Sequence, residues 1–383
     1  MSEETKKAPA IRFQGFTDDW EQRKLREVGN VVTGSTPSTL DKTNYNGSYL
    51  FVSPADIQGN RYVDKTITTL SEKGFRKGRI LKEGAILFVS IGSTIGKVAQ
   101  IRQEAVTNQQ INAVVPHEDY DDNFIFSSLV KESEKIRLLS ATQAVPIINK
   151  TTFSNIDIHI PGNIKEQIQI GAFFNKMDDT IALHLCKQRQ LELLKQRLIK
   201  EILPQSDSTL PHLRFANFRK PWEQHQLKEV LKVNSGRDYK HLNEGNIPVY
   251  GTGGYMLSVD GKLSDVDGIG LGRKGTIDKP QYLKAPFWTV DTLFYLTPSP
   301  NYDIYFLYTL IQNVNWKSMD ESTGVPSLSK SVIERVTLTF PILEEQQKIG
   351  SFFREFDNTI SLHQQKIAHL KALKSTILNK MFI

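Results

Sequence analysis

Residues Lys165–Leu185 read KEQIQIGAFFNKMDDTIALHL, and residues Glu344–Gln364 read EEQQKIGSFFREFDNTISLHQ. Two near-copies of one segment in one chain mark a tandem duplication. A second pair opens each half. Residues Pro9–Gly34, PAIRFQGFTDDWEQRKLREVGNVVTG, match Pro211–Gly236, PHLRFANFRKPWEQHQLKEVLKVNSG, and align Trp20 with Trp222. The duplication predicts a pseudo-symmetric molecule, and a two-fold object suits a two-part target.

The doubled segment begins a long helical stretch in each half. From Lys165 to Leu203 there is no proline and one glycine, Gly171. Leu191, Leu194, Leu198 and Ile202 recur at three and four residues, as do Ile367, Leu370, Leu373, Ile377 and Met381. Such spacing puts an apolar stripe on one helix face. Two matching stripes predict that the helices pack on each other, through Leu191, Leu194, Leu198 and Ile202 against Leu370, Leu373, Ile377 and Met381. Asp178, Asp179 and Asp357 are placed to cap a fresh helix, so each stretch is read as one helix or two. Thirty helical residues span ~45 Å, enough for a stiff ruler.

Between the repeats lie stretches that hardly match. YLFVSPADI, AILFVSIGS and INAVVP in the first half read as strands, as do IPVYGTGGY, DGIGLGRKG and FWTVDTLFYLTP in the second. A short helix follows each, near residues 123–139 and 304–316. The halves converge again at Val145-Pro146 and Val325-Pro326, at Lys150 and Lys330, and at the alternating IDIHI and VTLTF strands. The polar linker QSDSTLP marks the boundary between halves. The expected fold is α/β (α+β). Globular units at 1–163 and 208–340 each precede a helical segment, at 164–207 and 341–383.

Composition excludes several classes. A single cysteine, Cys186, permits neither a disulfide framework nor a thiolate metal cluster, and suits a reducing cytoplasm. No apolar run reaches the ~18 residues of a membrane span, and MSEETKKAPA lacks the apolar core of a secretory signal. The eight histidines form no metal-spaced motif. GLGRKG at Gly270, Gly272 and Gly275 formally matches a dinucleotide fingerprint, but TIDKPQYLKAPFW follows where a helix is needed. GSTIGKV, from Gly92 to Val98, has one residue too few for a phosphate loop. No nucleophile elbow occurs. The sequence therefore reads as non-enzymatic.

A net charge of +6 favours polyanionic partners, nucleic acid first. Small residues, amides and cations crowd the strand-linking turns. These are Ser93, Thr94 and Lys97, then Asn108, Gln109 and Gln110, then Thr252, Gly253, Gly254 and Tyr255, then Arg273, Lys274 and Thr276. Amides suit adenine, arginine and lysine suit guanine, and the cations also meet phosphates. These residues are the candidate DNA contacts.

With its doubled W-E…L-x-E-V starts, the turns VSIGSTIGKV and GLGRKGTI, PFWTVDTLFYL, the V-P…K segments and the doubled P…E-Q…I-G-x-F-F helices, the chain resembles a specificity subunit of a type I restriction–modification system over essentially its whole length. The resemblance implies two α/β target recognition domains, each followed by a conserved helix, with the two long helices antiparallel, reading an asymmetric bipartite duplex DNA site across a non-specific spacer. It implies two methylation subunits, carrying S-adenosylmethionine and methylating adenine. It also implies a restriction subunit using ATP and magnesium, with no cofactor in this chain. Two half-sites a turn apart lie ~34 Å centre to centre, which a stiff helix pair can set. A methyltransferase-only system and a helical scaffold binding only proteins are the competing readings. SIGSTIGKV and GLGRKGTID place the two recognition stretches in different subclasses.

Overall fold

The structure is a computed structural model that describes residues 8–139, 146–204 and 210–383. The chain divides into two compact units, Met1–Cys186 with Gln365–Ile383, and Lys187–Gln364. Each unit contains one α/β body and part of both long helices. The end of the second long helix belongs with the first body.

The bodies repeat one topology. In the first, an antiparallel sheet orders Gly29–Thr33, Ile111–Pro116, Ile86–Val89 and Val98–Gln100. In the second, Leu231–Ser235, Leu293–Pro298, Gly268–Gly272 and Gln281–Leu283 do the same. Beside these, Tyr45–Val52 runs parallel to Ala105–Thr107, as Glu244–Gly251 runs parallel to Trp288–Thr289. The WEQ starts pair with the alternating strands: Trp20–Lys24 with Asp157–Pro161, and Glu223–Gln226 with Thr337–Phe340. Trp20 and Trp222 are buried, edge-on to Phe124 and Phe306 at 5.6 and 5.7 Å. The expected short helices run Asp122–Leu138 and Ile304–Gln312.

The E-Q…I-G segment has a physical reason at each position. Glu166 is fully buried and takes both nitrogens of a fork from Arg12, at 2.6 and 2.8 Å. Glu345 takes the same fork from Arg214, at 2.7 and 2.8 Å. A buried carboxylate without such a partner would be strongly destabilising. Gln167 donates to Pro161 O and accepts from Asp121 N. Gln346 does likewise with Pro341 and Asp303. Asp121 and Asp303 in turn cap the short helices by accepting from Phe124 N and Phe306 N. Desolvation at this joint pushes the Asp121 carboxyl above its ordinary range. Gly171 and Gly350 sit directly under those caps; a Cβ there would lie 2.1 Å from Asp121 Oδ1 or 2.2 Å from Asp303 Oδ1.

The long helices run unbroken over Ile164–Ile202 and Leu343–Met381. Neither Asp178, Asp179 nor Asp357 starts a second helix. In the first unit Ile170, Phe174 and Met177 pack in one core with Ile377, Leu378, Met381 and Phe382. In the second, Leu198, Ile199 and Ile202 pack with Ile349, Phe352 and Phe353. Along the first helix the seam steps by four and three through Phe174, Asp178 and Ile181, then through Lys195, Ile199 and Ile202. This is the period of a coiled coil.

The seam contains two ion pairs that sequence periodicity does not show. Lys195 Nζ donates to both oxygens of Asp357 at 2.6 and 2.8 Å, and Lys374 Nζ donates to Asp178. They are the same pair twice: 179 residues separate Lys195 from Lys374 and Asp178 from Asp357. Each aspartate also grips its own body. Asp178 accepts from Arg61 at 3.4 Å, whose guanidinium lies 4.2 Å over the Phe126 ring. Asp357 accepts from the Tyr305 hydroxyl at 2.7 Å.

The expected apolar stripe is corrected accordingly. Ile202 and Met381 are buried, and Leu198 and Ile377 are half-buried in the cores above. Leu191 and Leu370 are half-buried. Leu194 and Leu373 are 47% and 41% exposed, and the neighbouring Lys195, at 9%, occupies the seam. A lysine can lay its methylene stem along apolar surface while its ammonium meets a carboxylate. Periodicity counted on leucines therefore misplaced Leu194 and Leu373 and missed the lysines beside them, while the other six residues of the stripe are buried or half-buried.

Candidate nucleic-acid interface

The turns that differ most in sequence are held by the same backbone hydrogen bonds in both bodies. Gly34 N and Ser35 N donate to Ile111 O and Thr107 O, at 3.0 and 2.8 Å. Gly236 N and Arg237 N donate to Leu293 O and Thr289 O, at 3.2 and 2.9 Å. Ser90 N donates to Gln110 O, and Arg273 N to Thr292 O, both at 2.8 Å. Ser90 O accepts from Ile148 N, and Arg273 O from Leu328 N. Pro146 O accepts from Gly92 N, and Pro326 O from Gly275 N, which gives the V-P segments their role. Val145 lies outside the described residues.

The bonds fix a residue-by-residue equivalence: Ser35 with Arg237, Ser90 with Arg273, Ile91 with Lys274, and Gln110 with Thr292. Gly92 and Gly275 both take φ near +95°, at +97° and +93°, a region that favours glycine. The two turns share one backbone frame. What differs is the side chains it carries.

In the first body the frame gathers Asn108, Gln109 and Gln110 beside Gly92–Lys97. Asn108 Nδ2 donates to Gln110 Oε1 at 3.0 Å, and Thr36 Oγ1 donates to Gln109 Oε1. Gln109 and Ser93 are exposed, and Asn108, Gln110 and Thr94 are half-buried. Lys97 is half-buried, and its ammonium donates to Ile57 O at 3.2 Å, so it braces the loop as well as edging it. Arg79 is exposed here and donates to Thr33 O at 2.8 Å, while its N–H meets Ser35 Oγ. Nothing in its sequence surroundings marked it.

In the second body Arg273 and Lys274 are exposed, and Thr276 is half-buried with its carbonyl against Gly272. Thr252, Gly253 and Gly254 form the tip between Glu244–Gly251 and Gly254–Val259, and Tyr255 is 63% exposed beside it. Gln281 Nε2 ties that hairpin to the sheet by donating to Gly251 O and Thr252 O. Arg237, missed in the sequence, joins this group; its place directly after the repeated Gly236 was the available signal. Among the described residues Arg237, Arg273 and Lys274 have no carboxylate partner. Asp291, exposed in the same turn, is the acid among them. Three cations flank one turn here, whereas the equivalent positions of the first body hold Ser35, Ser90 and Ile91.

The two nucleotide decoys resolve as parts of this frame. Gly268–Gly272 is a strand leading into the Arg273 turn, and GSTIGKV joins Ile86–Val89 to Val98–Gln100. Among the described residues no group of three His, Cys, Asp or Glu side chains could hold a metal ion, and no helix is long and apolar enough to cross a membrane.

A loop frame built twice, with unlike polar and basic side chains, defines the class: a duplicated protein of two like α/β bodies. The chain belongs to the type I restriction modification DNA specificity domain family, whose model matches residues 17–193 and 219–372. It is similar to the MjaIX specificity subunit of Methanocaldococcus jannaschii, 26% identical over 57% of this chain and 53% of that one. It therefore spans about half the length of that relative. The MjaVIII subunit of the same organism is 21% identical over 94% and 92% of the two chains. In fold it is similar to the crystal structure of a type I restriction-modification S subunit from M. genitalium. The TM-score is 0.76 at 17% identity, covering 98% of this chain and 99% of that one.

Proposed function

We propose that this chain reads an asymmetric, two-part duplex DNA site and presents it to catalytic partners. The observation that carries the reading is the frame equivalence: one set of backbone bonds, occurring twice, displays different side chains in each body. A shared frame suits a shared task, and unlike side chains suit unlike half-sites. Sequence is read at base edges, whereas phosphate contacts position the protein. Two methylation subunits would bring S-adenosylmethionine and methylate adenine, and restriction subunits would bring ATP and magnesium. The repeated helices, common to both halves, are the support for such shared partners.

Methylome sequencing of the host with and without this gene tests the proposal. The expected result is that one asymmetric bipartite adenine-methylation motif disappears on deletion. If every methylation motif survives deletion, the DNA-reading role is wrong and a scaffold that binds only proteins takes its place.

A further inference from the structure

The two frames differ most at one buried corner. In the first body Asn112 Nδ2 donates to Ser90 Oγ at 2.9 Å and to Ile148 O at 3.0 Å, while Asn112 Oδ1 accepts from Thr33 at 2.6 Å. Ser90 is 2% exposed and fully engaged in this network. In the second body strand register puts Phe294 where Asn112 stands: Ser235 and Leu271 face Phe294 as Thr33 and Phe88 face Asn112. Arg273 replaces Ser90, and its guanidinium lies 5.8 Å from the Phe294 ring centroid. The exchange is therefore coupled. A closed polar network in one body becomes an apolar floor carrying an exposed arginine in the other.

An arginine over an aromatic face is held in orientation without spending its five N–H donors. Arg273 has no carboxylate partner among the described residues, and its backbone is fixed on both sides by Thr292 O and Leu328 N. A guanidinium so held can present its fork to the O6 and N7 acceptors of guanine, the commonest specific contact in the major groove.

Resting on the DNA-reading role proposed above, we infer that Arg273, steadied on Phe294, is the guanine-reading side chain of the second body. The first body, where Ser90 is sealed in, reads instead through the amide turn Asn108–Gln110. Lys274, the next residue on the same turn, meets phosphate.

The test is methylome sequencing of host strains carrying R273A, R273K or K274A at the native locus, with thermal melting of each purified chain as the check on folding. In wild type, one half-site requires a guanine. R273A is expected to relax that position alone, with discrimination falling on the order of tenfold to a hundredfold while the other half-site stays as it was. R273K keeps the charge and loses the fork, so it relaxes the same position partly. K274A lowers methylation evenly across sequences. An unchanged motif in R273A overturns the inference, as does an even loss of methylation at all sites by a variant with normal melting, which would make Arg273 a phosphate contact. Should R273A fail to fold, a fully retained guanine requirement in R273K overturns it equally. Loss of no motif on gene deletion would instead sink the DNA-reading role itself.

Discussion

Replacing Lys195 with methionine removes the ammonium from the seam and keeps the stem that packs there. Lys195 is 11% exposed at its side chain and Asp357 is 28% exposed, and two hydrogen bonds join them. Breaking a fully buried pair costs ~3–5 kcal/mol, because the surviving charge is stranded. Here Asp357 keeps the Tyr305 hydroxyl and some water, which lowers the cost to roughly 2–3 kcal/mol. For a unit of this size each kcal/mol moves the midpoint by ~2–4 °C, so K195M should melt roughly 5–10 °C lower. Calorimetry of the full chain is the assay, with L194E as the control. Leu194 is 47% exposed, and a surface change of that kind is worth within ~0.5 kcal/mol. Adding D357L to K195M removes the stranded charge and should recover much of the loss. If L194E lowers the midpoint more than K195M, the leucine stripe and not the lysine lies in the seam, and the register argued above is wrong.

Two further outcomes follow from the joint between body and helix. Gly350→Ala pushes a Cβ to 2.2 Å from Asp303 Oδ1 and 3.0 Å from Phe306 N. Overpacking plus a loosened helix cap should cost roughly 2–4 kcal/mol in urea unfolding, and a neutral result would mean the cap has room to move. Alkali should act on the second body through Tyr305 and Tyr308. Burial, aided by the Asp357 charge, pushes both hydroxyls up, Tyr308 to about 12. Folding therefore favours their protonated form. The Tyr308 contribution is fully present below pH 10, the ordinary tyrosine value, and is lost as pH rises through about 12, while that of Tyr305 persists to higher pH. Absorbance at the phenolate band should lag behind free tyrosine and rise together with loss of circular dichroism; a smooth titration near pH 10 with structure intact would contradict this.

Much of the frame was legible because its residues answer demands that few side chains meet. A buried fork acceptor needs a carboxylate at Glu166 and Glu345, and the space beneath a helix cap needs glycine at Gly171 and Gly350. Such positions repeat visibly. The seam was not legible at Lys195 and Lys374, because a lysine at a heptad position looks like a solvated face until its carboxylate is placed opposite. The loop equivalence was hidden for another reason. The offset between halves falls from 202 residues at Gly34 and Gly236 to 179 at Asp178 and Asp357, so insertions between them scatter the matching turns. Backbone bonds show the match; side-chain identity conceals it.

That concealment bears on how one duplicated frame can carry two different sets of side chains. At the two reading corners the backbone is held by backbone: Ser90 N and Arg273 N each donate to a turn carbonyl, and Ser90 O and Arg273 O each accept from the residue two after a proline, Ile148 and Leu328. At Ser90 and Arg273 themselves the fold makes no demand on the side chain beyond local fit. Where a side chain does enter the core, its neighbour changes with it, as Ser90 with Asn112 and Arg273 with Phe294. The unit of change is thus the pair, floor and reader together. Arg273 transplanted onto the first body would land on an asparagine whose amide is already committed to Ile148 and Thr33, leaving buried polar groups unpaired at ~1–3 kcal/mol each. A transplant of both residues removes that amide and in turn takes the partner of Thr33 Oγ1 and Ile148 O, so S90R/N112F exchanges floor and reader together only if Thr33, half-buried at the strand edge, finds water in place of the amide.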